Sequence, residues 1–166
     1  MRILGIDPGY AIVGYGVVDL NASKFKAVDF GVITTPAKIP IENRLESIYY
    51  EMAKLIEKHR PDCMAIEELF FNSNHTTAIP VAEARGIILL AAKQHGIQIF
   101  EYTPLQVKSA VVGYGRAEKH QVIAMTTSLL GLPKPPKPDD AADALAIAIC
   151  HGNTGGSSLA KLYNLR

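Results

Sequence analysis

The 166-residue sequence has no tryptophan and only two cysteines, Cys63 and Cys150. Neither cysteine belongs to a Cys-x-x-Cys pair, which argues against zinc and redox sites and leaves two small buried hydrophobes. No apolar run reaches the roughly 20 residues needed to span a bilayer, so no membrane association is expected. The first residues, Met1 to Asp7, lack the apolar core and cleavage site of a secretory leader, which makes a reducing cytoplasm the expected location. A strong charge of either sign is also missing. The net charge is +1, which does not by itself mark a nucleic-acid binder. Internal repeats and domain boundaries are absent too. One domain is expected, long enough to bury a core without staples.

The charge present is unevenly placed. Residues 104–137 hold Lys108, Arg116, Lys119, Lys134 and Lys137 against Glu118 alone, a net +4 that leaves −3 for the remainder. A locally basic segment on a near-neutral chain suits a directed anionic partner. A solvated loop and helix face is equally compatible with charge alone.

The hydrophobic pattern predicts an α/β domain. Residues 2–7 read as a short buried strand ending on Asp7, followed by an Asp-Pro-Gly turn. Residues 12–20 and 25–34 read as two further strands. Their connections are too short for crossovers, so the first three strands form an antiparallel meander. Leu45, Ile48, Met52, Leu55 and Ile56 recur at helical spacing, giving an amphipathic helix over about 42–59 that Pro61 stops. A fourth strand runs from Cys63 to Ile66 and ends at Glu67 and Glu68. After a loop over 70–76 comes a helix from about 77 to 95, with Gly96 as its C-cap signal. A fifth strand over 97–102 follows, then a short helix capped by Thr103 and begun by Pro104. A glycine loop over 112–116 leads to a helix over 118–130. The proline-rich stretch 132–138 is a stiff linker. A last helix spans 139–151, and residues 152–166 form a tail. The whole predicts a five-stranded mixed sheet flanked by helices.

Carboxylates carry the chemistry. Asp7 and Glu67 or Glu68 end the first and fourth strands, and α/β sites form at the C-terminal edges of strands. Adjacent strand residues face opposite ways, so only one of the two glutamates can share a face with Asp7. Periodicity leaves that choice open. Asp140 and Asp143 are three apart on a helix and share a face. Asp143 stands in the apolar run Ala141 to Ile149 with no lysine or arginine within a turn of it on that helix. A charge so placed is costly unless it is paired or bound to metal. Innocent readings exist for the others: Asp139 as an N-cap, Asp140 as a dipole partner, Asp7 as a turn residue. They leave Asp143 and the glutamate unexplained. Such hard oxygen donors suit magnesium or manganese rather than zinc.

Gly5-Ile6-Asp7-Pro8-Gly9, Ala65-Ile66-Glu67, Glu83-Ala84-Arg85-Gly86, Val107-Lys108, Ala117-Glu118-Lys119 and Asp140 to Ile147 occur in that order. The ordered set resembles the RuvC family of Holliday-junction resolvases, in the ribonuclease-H-like superfamily, over residues 1 to about 151. The resemblance implies a ribonuclease-H-like nuclease domain over 1–151. It implies a homodimer that resolves four-way junction DNA by paired symmetric nicks, leaving 5′-phosphate and 3′-hydroxyl ends, in recombination and repair. Magnesium is the implied cofactor, two ions per active site, with manganese able to substitute. The RuvA–RuvB branch-migration complex is an implied partner. Carried over by position, the catalytic metal ligands are Asp7, Glu67, Asp140 and Asp143, and the DNA contacts are Lys108, Lys119 and the aromatic Phe70. Arg116, in the same basic loop, is a further DNA-binding candidate. Two positions depart from the pattern. Glu68 is acidic where uncharged polar residues are common, and Phe71 doubles the aromatic, which leaves open which of the two rings meets DNA.

Three rival readings differ in what they require. The Gly-Ile-Asp-Pro-Gly motif also resembles the first phosphate motif of actin- and sugar-kinase-like ATPases, which enclose a nucleotide between two such domains. A non-catalytic nucleic-acid-binding module would gain nothing from four acids facing phosphates. A nuclease for RNA–DNA hybrid is separated from a resolvase only by the resemblance.

Overall fold

The computed structural model describes residues 1–69 and 75–154. Five strands form one sheet: β1 (Arg2–Asp7), β2 (Ile12–Asn21), β3 (Lys24–Thr34), β4 (Cys63–Glu67) and β5 (Gln98–Tyr102). Their order across the sheet is β3-β2-β1-β4-β5. The pairs β1–β2 and β2–β3 are antiparallel, as their short connections demand. The chain then changes direction of build. Helix α1 (Ile41–His59) carries it to β4, which lies parallel to β1, and α2 (His75–Gln94) carries it to β5, parallel to β4. Three helices follow: α3 (Pro104–Val112), α4 (Lys119–Leu129) and α5 (Asp139–Thr154). This is the five-stranded mixed sheet that the hydrophobic pattern predicts, and it has the ribonuclease-H-like arrangement that the resemblance implies.

Alternation along the strands splits the core into two layers. Leu4, Ile6, Met64 and Ile66 point to one face, where Ile48, Met52 and Ile56 of α1 and Ala84 and Ile88 of α2 cover them. Ile3, Cys63 and Ala65 point to the other, under α5. Helix α5 is buried along its length. Ala141, Ala144, Leu145, Ile147, Ala148 and Ile149 are all fully inaccessible, so its alanines set a short distance to the sheet.

Local signals account for most helix ends. Gly96 closes α2 with φ of +71°, and Thr103 opens α3 through a reciprocal capping box with Gln106. Two boundaries differ from expectation by two residues or more. Helix α2 starts at His75, ahead of residue 77. Helix α5 runs on to Thr154 although Gly152 offers a stop. Gly152 instead lies against Phe25, whose ring a Cβ there would meet at 2.3 Å, and Thr154 Oγ1 donates to the Cys150 carbonyl at 2.7 Å. Packing against β3 therefore outweighs the glycine's stop signal.

Candidate active site

The parallel register of β1 and β4 pairs Gly5 with Ala65 and Ile6 with Ile66. Continued by one residue, it sets Asp7 level with Glu67 at the C-terminal edge of the sheet. Both belong to the face covered by α5, because Ile3 and Gly5 precede Asp7 on that face and Cys63 and Ala65 precede Glu67. Glu68 is one residue out of phase, and its backbone N–H donates to the Tyr102 carbonyl at 2.8 Å. Strand register thus makes the choice that periodicity leaves open.

Glycines bring α5 down onto this edge. Gly14 pairs with Asp7 across β1 and β2, and a Cβ on Gly14 would lie 2.1 Å from the Asp140 carbonyl oxygen. A Cβ on Gly5 would lie 2.1 Å from the Ala144 carbonyl oxygen. Any side chain at either position would lift α5, and Asp140 and Asp143 with it, away from Asp7.

The electrostatics report the crowding. Burial pushes the Asp7 carboxyl up to about 8, with the charges of Asp143, Glu67 and Asp140 adding to the effect and Lys119 opposing it. Glu67 is pushed up to about 7 by burial and by Asp143, against Lys108 and Lys119. The four acids therefore share one field. Asp143 is not the isolated charge its own helix suggests. Lys119, from the start of α4, places Nζ 3.0 Å from its carboxylate and 3.9 Å from that of Asp139. Asp139 is the first residue of α5 rather than its cap, and it also accepts from Lys137 Nζ at 2.9 Å.

The remaining candidates divide. Lys108 on α3 and Lys119 flank the acids closely enough to act on Glu67. Arg116 is exposed on the segment between α3 and α4. Phe70 and Phe71 lie outside the described residues. One pair of residues that sequence reasoning does not single out also reaches this edge. Arg85 of α2 donates from Nε to the Glu67 carbonyl at 3.4 Å and from Nη2 to Glu101 on β5. Its only signal in the sequence is the Glu83–Gly86 motif.

Chemically, the edge offers hard carboxylate oxygens in excess over the lysines that offset them, a donor set that fits divalent cations such as magnesium. Among the described residues, no three such side chains close up as a ready-made cage.

Comparison with known proteins places the chain in a family. The family model described as "Crossover junction endodeoxyribonuclease RuvC" matches residues 3–151. The protein of that name from Ruminiclostridium cellulolyticum is 59% identical over 154 residues, covering 93% of each chain. The one from Alkaliphilus oremlandii is 56% identical over 155 residues, covering 93% of this chain and 94% of its own. Among solved structures, Thermus thermophilus RuvC superposes with a TM-score of 0.86 at 36% identity, over 93% of this chain and 95% of that one. The same protein in complex with Holliday junction substrate gives 0.85 at 34% identity, with the same coverage. The chain belongs to the RuvC family of crossover junction endodeoxyribonucleases.

Proposed function

We propose that the acidic edge is the catalytic centre of a metal-dependent endonuclease that resolves Holliday junctions. The observation that carries the reading is the convergence of Asp7 and Glu67, level on adjacent parallel strands, with Asp140 and Asp143 lowered onto them over Gly5 and Gly14. The four carboxylates hold magnesium, as a pair of ions with manganese able to substitute. When bound there, the metal would supply Lewis acidity to the attacking water and positive charge toward the phosphate.

The protein's own groups do the rest. Lys108 and Lys119 flank the acids and hold the phosphates on either side of the scissile bond. Arg116, exposed beside them, contacts the backbone further out. We assign to Phe70, three positions after Glu67, rather than to Phe71, the role of stacking on an unpaired base at the crossover, worth about 1–3 kcal/mol. Alanine at each position tests that division. Loss of junction cleavage confined to Phe71→Ala would reverse it.

Symmetric nicking needs two such centres. Helix α2 presents Ile79 and Leu90, 70% and 46% exposed, on one face with exposed Gly86 between them at helical spacing. Two copies pair through that face. Residues 1–151 make up the nuclease domain, with 152–166 as a tail, and the enzyme works in the cytoplasm beside the RuvA–RuvB complex. Among the described residues no helix is long and apolar enough to cross a membrane.

A cleavage assay comparing four-way junction, linear duplex and RNA–DNA hybrid, each with magnesium or with chelator, tests the proposal. Junction-selective, chelator-sensitive nicking is expected. Cleavage that survives chelation contradicts the mechanism, and preference for hybrid contradicts the substrate.

A further inference from the structure

Helix α2 contributes no carboxylate to the acidic edge, yet one of its side chains reaches it. Arg85 lies on the sheet side of α2 with its side chain 17% exposed. Its Nε donates to the backbone carbonyl of Glu67 at 3.4 Å, and its Nη2 donates to the Glu101 carboxylate. Glu101 sits on β5, paired in register with Ile66, the residue just before Glu67. One guanidinium therefore ties three elements, α2, β4 and β5, at the point where β4 ends and the chain turns out of the sheet.

We propose that Arg85 is a positioning residue for the reaction. It fixes the Glu67 end of β4, and with it the placement of this carboxylate beside Asp7 and the α5 acids. The inference rests on the metal-dependent nuclease reading above. Its physical basis is the geometry of the side chain. Arginine presents donors along diverging directions, so a single residue can serve a carbonyl and a carboxylate at once. A lysine offers one point charge and cannot hold both partners in fixed directions. Glu101 orients the fork and supplies its counter-charge. Metal ligands tolerate misplacement of only about 0.5 Å before function falls, and Glu67 is the last residue of its strand. The strand holds it from one side, and the next anchor in the chain is the Glu68 N–H bond to Tyr102.

The test uses the full chain with Arg85→Ala, Arg85→Lys and Glu101→Gln. Arg85→Ala should slow single-turnover junction cleavage by about 10- to 100-fold, the usual effect of removing support behind a metal ligand. The dissociation constant for junction DNA should stay within about twofold, since Arg85 is assigned no DNA contact. Manganese binding to the DNA-free protein, followed by electron paramagnetic resonance, should weaken by a similar factor to the cleavage rate. Arg85→Lys should recover only part of the loss, and Glu101→Gln should show the smallest defect. Unchanged cleavage and manganese binding in a folded Arg85→Ala protein would overturn the proposal. So would losses that merely track the folded fraction measured by circular dichroism. If Arg85→Ala does not fold, Arg85→Lys and Glu101→Gln decide by the same two criteria. The parent protein separates this proposal from the reading beneath it. If the parent lacks chelator-sensitive junction cleavage, the reading fails and the proposal with it. If the parent cleaves and the variants match it, only the role of Arg85 fails.

Discussion

The two ends of the sheet handle acidic residues in opposite ways. Toward the start of β1, Asp19 receives two hydrogen bonds from the Arg2 guanidinium, at 2.8 and 2.9 Å. Asp62 accepts from the Arg2 backbone N–H at 2.6 Å. Asp29 meets Lys58 Nζ at 2.9 Å, and His59 Nε2 lies equally close, though off the hydrogen-bonding direction. The Arg2 bonds hold the Asp19 carboxyl below its ordinary value. For Asp29, burial pulls upward, but Lys58 and His59 prevail and the net shift is downward. At the end of β1 the signs reverse, and burial and mutual repulsion push Asp7 and Glu67 up to about 8 and 7. Acids at one end are matched by the protein's own bases. Acids at the other end are gathered in excess of them. Folding alone does not favour the second arrangement, whereas the proposed cation would offset the repulsion.

The largest effect is expected at the unmatched end. Asp7→Asn should reduce junction cleavage on the order of a thousandfold, equivalent to about 4 kcal/mol in the barrier, while gel-shift binding of the junction persists. The corresponding change at the matched end, Asp19→Asn, should leave cleavage alone. It should lower stability by about 1 kcal/mol, a modest loss because the pair is partly exposed, as read by urea unfolding. A cleavage defect there would dissolve the distinction between the ends. Smaller again, Lys108→Ala and Lys119→Ala should each weaken junction binding regardless of sequence and reduce its log-salt slope by about 1. An unchanged slope would place that lysine away from DNA phosphates.

Much of the frame is legible in the sequence, because alternation and helical spacing are local signals. The meander, the phase of α1 and the caps at Thr103 and Gly96 all follow from neighbours in the chain. What is not legible depends on residues far apart in sequence. Asp143 is the hardest acid to explain from its own helix, yet Lys119 of α4 lies 3.0 Å away. Asp7 invites an innocent reading as a turn residue, yet burial beneath α5 makes its carboxyl the more strongly perturbed of the two strand-end acids. Glu67 and Glu68 cannot be separated by pattern until β4 is known to lie parallel to β1 in the Gly5–Ala65 register. The Arg85–Glu101 link joins α2 to β5, and nothing in either segment alone announces it. Gly5 and Gly14 look like ordinary strand glycines until α5 is seen within 2.1 Å of where their side chains would be.

On the proposed reading, the acidic edge is held strained in charge until a divalent cation joins it. Because Asp7 and Glu67 bind protons more tightly folded than unfolded, the metal-free protein should lose stability as pH rises from about 4, the unfolded value, through about 8. The most direct measurement is the unfolding free energy of the parent and of Asp7→Asn at pH 8.5, each in chelator and in saturating magnesium. In chelator the variant should be the more stable, by on the order of 2 kcal/mol. In magnesium the parent should gain the larger increment and the gap should close or reverse. A variant less stable than the parent in chelator, or equal gains from magnesium in both proteins, would contradict the account.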